Sequence, residues 1–191
     1  MSKIIEVPLS RGYVALIDAE DSEKVLAYKW HVLINKKNPV TTSIYVIGRI
    51  KGRTVYLHRF IMDAPKNLQV DHINHNGLDN RRANLRLATP SQNQYNRIHT
   101  NTKTGFRGVK LCRTSKTAPF YAGIRSENRY YNLGSFKTRE EAAIAYDRKA
   151  IELHGEFAVL NFPTTSRMGE LHSRAVAVAA RMETERYYEA A

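Results

Sequence analysis

At 191 residues the chain has room for one medium domain or two small ones, and little for a large enzyme core. Thirty Lys and Arg against 18 Asp and Glu give a net charge of +12, a surface that attracts polyanions, nucleic acid first. No long apolar run or leader-like start points to a membrane, so a soluble, intracellular protein is expected, and the lone Cys112 excludes both a disulfide framework and zinc held by paired cysteines.

Residues 4–18, IIEVPLSRGYVALID, alternate loosely with β-branched and aromatic side chains, and residues 41–60, TTSIYVIGRIKGRTVYLHRF, repeat the pattern around a Lys51-Gly52 turn. Residues 1 to 60 therefore read mainly as strands, interrupted by a short helix at Asp21 to Ala27, with Trp30 and Val32 returning to strand. Next comes an asparagine-rich block, VDHINHNGLDNRRANLRLATPSQNQYN, from Val70 to Asn96. Val70-Asp71-His72 is a strand end, INHNGLDNRRAN is turn chemistry, and Leu85 to Ala88 is a second short strand. Thr89-Pro90-Ser91-Gln92 then supplies an N-cap, a proline at the first helical position and a capping-box Gln, so that strand passes directly into helix.

In a strand, loop, strand, helix unit of this kind, Asn93 in the first full turn of the helix faces Asp71 across the loop. A carboxylate and an amide carbonyl make a partial shell of hard oxygens that suits Mg²⁺ or Mn²⁺. His72, with an ordinary imidazole pKa near neutrality, is placed to take a proton from water. Neighbouring strand residues point to opposite faces, so Asp71 and His72 serve one site only if the pleat breaks there.

Asp71-His72, Asn84 and Asn93 together resemble the HNH endonuclease motif in the variant that ends in Asn, and LHRFIM at residues 57–62 resembles the lead-in of phage-type HNH enzymes. The resemblance covers roughly residues 55 to 97 and implies a ββα-metal (His-Me finger) fold. It implies His72 as general base, Asp71 and Asn93 as metal ligands without zinc, and Asn84 as the residue that pins the loop and orients His72. His58 and Arg59 match the lead-in and take a phosphate-side role.

The polar stretch RIHTNTKTG ends in Gly and has no period, which makes residues 98–105 the expected linker. Beyond it FRGVKLC, FYAGIRS and RYYNLGSF read as three strands, and TREEAAIAYDRKAIELHG as a helix with Thr138 as N-cap, Glu141 completing a capping box, Ala142, Ala145, Tyr146, Ala150 and Leu153 as the apolar face, and Gly155 as the stop. From Arg97 to Arg139 there are ten Lys and Arg and one acidic residue, Glu127, interleaved with six aromatic rings. Strand alternation places a subset of those cations on one sheet face, where they meet phosphates and base edges.

FRGVK, FYAGIR, LGSFKTREEAAIAYDRKAIELHG and AVLNFP resemble the APETALA/ethylene-response-factor DNA-binding domain of plant transcription factors, over Phe106 to Pro163. That family implies a three-stranded antiparallel sheet packed on one helix, with Arg107, Lys110, Tyr121 and Arg125 at the positions of its DNA contacts. Asn132 and Gly123 depart from the family pattern, so its base preference does not transfer.

The expected protein is thus α+β: a β-rich region at 1–54, a nuclease at 55–97, a linker at 98–105, a DNA-binding domain at 106–163 and a helical tail at 164–191. The function expected is site-specific, metal-dependent cleavage of double-stranded DNA by a monomeric enzyme of homing type, with one site per chain favouring nicks. The alternative is a DNA-binding transcriptional regulator that keeps the nuclease block as an inactive scaffold.

Overall fold

The computed structural model describes residues 3–38, 41–97, 102–112 and 115–163. The expected C-terminal helical tail at 164–191 and residues 98–101 of the expected linker lie outside the described residues. The chain divides into two compact units, Met1–Gln94 and Tyr95–Ala191.

In the first unit β1 (Ile4–Pro8) and β2 (Val14–Asp18) form an antiparallel hairpin, followed by the short helix α1 (Ser22–Leu26). A three-stranded antiparallel sheet follows, of β3 (Trp30–Asn38), β4 (Thr41–Ile50) and β5 (Arg53–Tyr56), turned at Lys51-Gly52 as the sequence suggests. Helix α2 (Leu57–Ile61) departs from the strand reading of residues 1 to 60. Its apolar residues Leu57 and Ile61 are buried four apart, one helical turn, and they only look strand-like because β5 alternates just before them. The unit closes with the antiparallel ribbon of β6 (Gln69–His72) and β7 (Leu85–Ala88), then α3 (Pro90–Tyr95), whose last residue already belongs to the second unit. Thr89 and Gln92 close the expected capping box: the Gln92 N–H donates to Thr89 Oγ1 at 3.2 Å and the Thr89 N–H to Gln92 Oε1 at 2.9 Å.

One core serves residues 1–54 and the ribbon alike: Val7, Ala15, Ile17, Trp30 and Val46 pack in the same cluster as Leu57, Ile61, Val70 and Leu85. Polar clamps reinforce it. The Arg82 N–H donates to Asp18 Oδ2 at 2.7 Å, and its guanidinium forks onto both oxygens of Asp21 at 2.8 Å. The strands before residue 54 are in this way bonded to the loop between β6 and β7.

The second unit is an antiparallel sheet in the order β10-β9-β8, from β8 (Val109–Leu111), β9 (Phe120–Ser126) and β10 (Arg129–Phe136), covered by α4 (Arg139–His154). The capping box of Thr138 and Glu141 and the stop at Gly155 are those the sequence spells out. The buried face of α4 is Ala142, Ala143, Tyr146 and Ala150, with Ala145 and Leu153 only half-buried, a small rotation from the expected stripe. Thr104 is buried and donates to the Val109 carbonyl at 3.0 Å, so the described end of the expected linker is packed into this unit.

Asp147 on α4 is fully buried and accepts from the Asn161 and Phe162 N–H groups and from Asn161 Nδ2, each at 2.9 Å. The carboxylate thereby ties the segment after α4 back onto the helix. Asp147→Ala removes the acceptor of all three bonds, leaving the Asn161 and Phe162 N–H groups without theirs while Asn161 Nδ2 keeps the Arg107 carbonyl at 3.1 Å. It is expected to lower the stability of this unit by about 3 kcal/mol, since hydrogen bonds to a charged group are worth more than neutral ones. Urea unfolding followed at the tyrosines measures it, and a midpoint equal to wild type would remove Asp147 from the account of the fold.

Candidate active site

The asparagine-rich loop is built from its own side chains. Asn74 Oδ1 accepts from the Asn76 N–H at 2.9 Å, Asn76 Oδ1 from the Leu78 N–H at 3.1 Å, and Asn74 Nδ2 donates to Asp79 Oδ2 at 2.9 Å. These are the local turn bonds that short amides favour. Asn84 closes the loop, with Oδ1 accepting from the Asn74 N–H at 2.9 Å and Nδ2 donating to the Asp79 carbonyl at 2.8 Å. Asp79 takes a bidentate fork from Arg81 at 2.7 Å, which holds its carboxyl below the ordinary carboxylate range.

His72 is buried on the core side of β6. Its Nε2 lies 3.4 Å from Oδ1 of Asn80, a residue with no exposed surface. Around the ring stand His58 at 5.0 Å between centroids, edge to face, and Tyr45 at 6.4 Å, while Tyr45 and Tyr56 flank His58 at 5.9 and 5.4 Å. Burial pushes the His72 pKa down against the opposing pull of Asn80, Asp71 and Asp79, so the imidazole is neutral and able to accept a proton at neutral pH. His58 is pushed down to about 3, by burial first and then by His72 and Arg59, and its buried Nδ1 has no hydrogen-bond partner. Arg59 directs its guanidinium to the carbonyls of Leu68, Ala64 and Pro65 at 2.8, 3.1 and 2.9 Å, which fixes the turn leading into β6.

Asp71 sits on the other face of the ribbon. Pairing holds its register through Asp71↔Arg86 and His72↔Leu85, so the two neighbours leave β6 on opposite sides, and the ladder ends only after His72, where the Ile73 N–H turns to the Asn84 carbonyl at 2.9 Å. Asp71 Oδ2 accepts from Arg86 Nε at 2.9 Å and Nη2 at 2.8 Å, an ion pair whose two side chains are 8% and 10% exposed. Gln69, two residues back and so on the same face as Asp71, accepts through Oε1 from Asn93 Nδ2. The structure thus brings Asp71 and Asn93 to one side of the ribbon, His72 and His58 to the other, with Asn84 beneath the loop that joins them.

Among the described residues no three His, Cys, Asp or Glu side chains gather as a metal cluster. The donor set at Asp71 and Asn93, one carboxylate and one carboxamide, nonetheless fits a hard divalent ion that completes its shell with water and phosphate oxygens. Asn80 and Arg86 are the site residues that sequence reasoning missed. A register for β6 and β7 would have found Arg86, which stands directly opposite Asp71. Nothing in the sequence separates Asn80 from the other loop asparagines.

In the second unit Lys110, Tyr121 and Arg125 share the sheet face away from α4. Lys110 pairs with Tyr121, Arg125 pairs with Tyr130, and the Arg125 guanidinium lies 5.9 Å over the Tyr130 ring. Gly123 makes the arrangement possible: a Cβ there would meet the Tyr130 hydroxyl at 1.8 Å. Arg107 does not join them, and its guanidinium donates to the carbonyls of Arg97 and Tyr95 at 2.6 and 3.0 Å.

The HNH endonuclease family profile matches residues 55–95. A protein of Acanthamoeba polyphaga mimivirus named as an uncharacterized HNH endonuclease is 35% identical over 157 residues, 79% of this chain and 76% of that protein. Protein 3.8 of Escherichia phage T7 is 36% identical over 95 residues, 49% of this chain and 76% of its own. The ethylene-responsive transcription factor WRI1 of Arabidopsis thaliana is 45% identical over 49 residues, 26% of this chain and 11% of that factor. No solved structure matches the chain. Among the described residues no helix is long and apolar enough to cross a membrane.

Proposed function

The chain belongs to the HNH endonuclease family, and from that premise we propose that it is a metal-dependent, site-specific DNA endonuclease of homing type in which His72 is the general base. The observation that carries the reading is the placement of His72: a buried imidazole at the mouth of the loop, with the Asn80 amide oxygen 3.4 Å from Nε2, one residue from the carboxylate of Asp71. His72 takes a proton from the attacking water. Asp71 and Asn93 would hold the divalent ion, Mg²⁺ or Mn²⁺, which supplies charge stabilisation at the phosphate and the leaving oxygen. Asn84 keeps the loop shape that sets the distance between the two strands. The side chains of Asp71 and His72 leave β6 on opposite faces, so the scissile phosphate is proposed to reach both around the end of β6, where the ladder stops after His72.

The second unit is proposed to be an APETALA/ethylene-response-factor type DNA-binding domain whose Lys110, Tyr121 and Arg125 face lies in a groove of duplex DNA. A planar guanidinium held over the Tyr130 ring at 5.9 Å is suited to reading guanine, so Arg125 is the specificity residue and Lys110 the phosphate grip. One site on a monomeric chain gives nicks. The Arg86 fork on Asp71 is the observation that favours a second reading, a DNA-binding regulator with a retired nuclease, because it occupies the metal-side carboxylate with a cation of the protein's own.

Supercoiled plasmid decides between them. The nuclease is expected to convert it to open circles with Mg²⁺ or Mn²⁺, to be silent in excess chelator, and to be indifferent to a zinc-selective chelator in the presence of Mg²⁺. Plasmid left intact in every metal, with specific binding preserved, supports the regulator. Loss of cutting to the zinc chelator would move the metal away from Asp71 and Asn93.

A further inference from the structure

A neutral imidazole carries one N–H and one lone pair, and only the lone-pair nitrogen is a base. Which nitrogen that is depends on what the other one meets. At His72 the other one is Nε2, and what it meets is the amide of Asn80. The orientation of that amide is settled by its far end: Nδ2 donates to the Gly77 carbonyl at 3.2 Å, and a carbonyl only accepts, so Oδ1 is the atom facing His72. An acceptor at Nε2 calls for the proton there and leaves the lone pair on Nδ1.

Asn80 is also held where it cannot adjust. It has no exposed surface, and its backbone N–H donates to the Leu16 carbonyl on β2 at 2.8 Å, next to a return bond from the Leu16 N–H to the Leu78 carbonyl at 2.9 Å. Its anchor Gly77 presses against β4 so closely that a Cβ would meet the Ile44 carbonyl oxygen at 1.9 Å. Asn84, by contrast, has both ends of its amide committed to Asn74 and Asp79 within the loop.

We propose that Asn80, braced by β2 and β4, is the positioning residue that fixes the tautomer of His72 with the proton on Nε2 and the lone pair on Nδ1. Residues 1–54 act in the reaction through it: the N-terminal strands hold the amide that selects the basic nitrogen. The proposal rests on His72 as the base, but its structural half stands or falls without any cleavage assay.

The test is a long-range proton–nitrogen correlation spectrum of the full chain with isotope-labelled histidine, at a pH where His72 is neutral, its signals assigned by their loss in His72→Ala. Wild type is expected to show the Nε2–H tautomer. Asn80→Asp, which keeps an acceptor at that nitrogen, is expected to retain it. Asn80→Leu, of similar size and without an acceptor, is expected to lose the preference. In plasmid nicking Asn80→Leu then lowers kcat by about 10²-fold, the worth of the base it misdirects, with KM for DNA near wild type, and Asn80→Asp recovers most of the loss.

An Nδ1–H tautomer in wild type or in Asn80→Asp overturns the proposal, and so does an unchanged tautomer in Asn80→Leu. Those two spectra decide it even if Asn80→Leu does not fold. The expected tautomers together with wild-type nicking by His72→Ala would instead leave Asn80 as the anchor of His72 and remove His72 from the chemistry.

Discussion

Replacing His72 with alanine is expected to slow nicking of supercoiled plasmid by about 10²-fold or more, the range that general-base catalysis contributes. DNA affinity is expected to stay within about twofold, because the cations proposed to bind the duplex, Lys110 and Arg125, belong to the other compact unit. The substitution also empties a place between His58, Tyr45 and Leu85, and Asn80 loses its partner, so a modest loss of stability accompanies it. Assays well below the unfolding midpoint keep the two effects apart. His72→Gln, which refills most of the space with a side chain that takes no proton, is expected to restore stability and not activity. Wild-type nicking by both variants would move the base elsewhere, with His75, exposed in the same loop, the next histidine to replace.

Much of this molecule is written in local chemistry, and that part was legible. Thr138 with Glu141, and Thr89 with Gln92, spell helix starts that the backbone then makes, because a capping box needs only residues three apart. The strands of the second unit and the β6–β7 ribbon follow from β-branched and aromatic runs between turn formers. What was not legible depends on pairing across the chain. Helix α2 is hidden by the alternation of the strand before it. The single core that joins residues 1–54 to the ribbon requires knowing that Ile17 and Leu85 meet. The site divides along the same line. Asp71, His72, Asn84 and Asn93 stand out by order and spacing. Asn80 differs from its neighbouring asparagines only in lying against Leu16, sixty-four residues earlier in the chain, and Arg107 is drawn to backbone carbonyls by contacts no periodicity announces.

Arg86 is the residue whose loss is expected to cost the fold most. Its guanidinium and the Asp71 carboxylate are nearly removed from water: taking away one member of the pair leaves the other charge buried without this counterion, a penalty of about 3–5 kcal/mol where such pairs have been broken. Arg86→Leu is therefore expected to lower the denaturant midpoint of the first unit sharply in chelator. Asp71→Asn is expected to do so less, since an amide oxygen still accepts from the fork. The double variant Asp71→Asn/Arg86→Leu is expected to be more stable than the sum of the two, because no uncompensated charge remains, and the size of that non-additivity measures the pair. Adding Mg²⁺ is expected to return part of the loss in Arg86→Leu and little in wild type, because a ligand that binds only the folded state stabilises it in proportion to its affinity, and the carboxylate without its guanidinium is the stronger ligand. Strictly additive losses would show that Arg86 supports the ribbon by packing its stem and not by its charge, and an Arg86→Leu variant indifferent to Mg²⁺ would take Asp71 out of the metal shell.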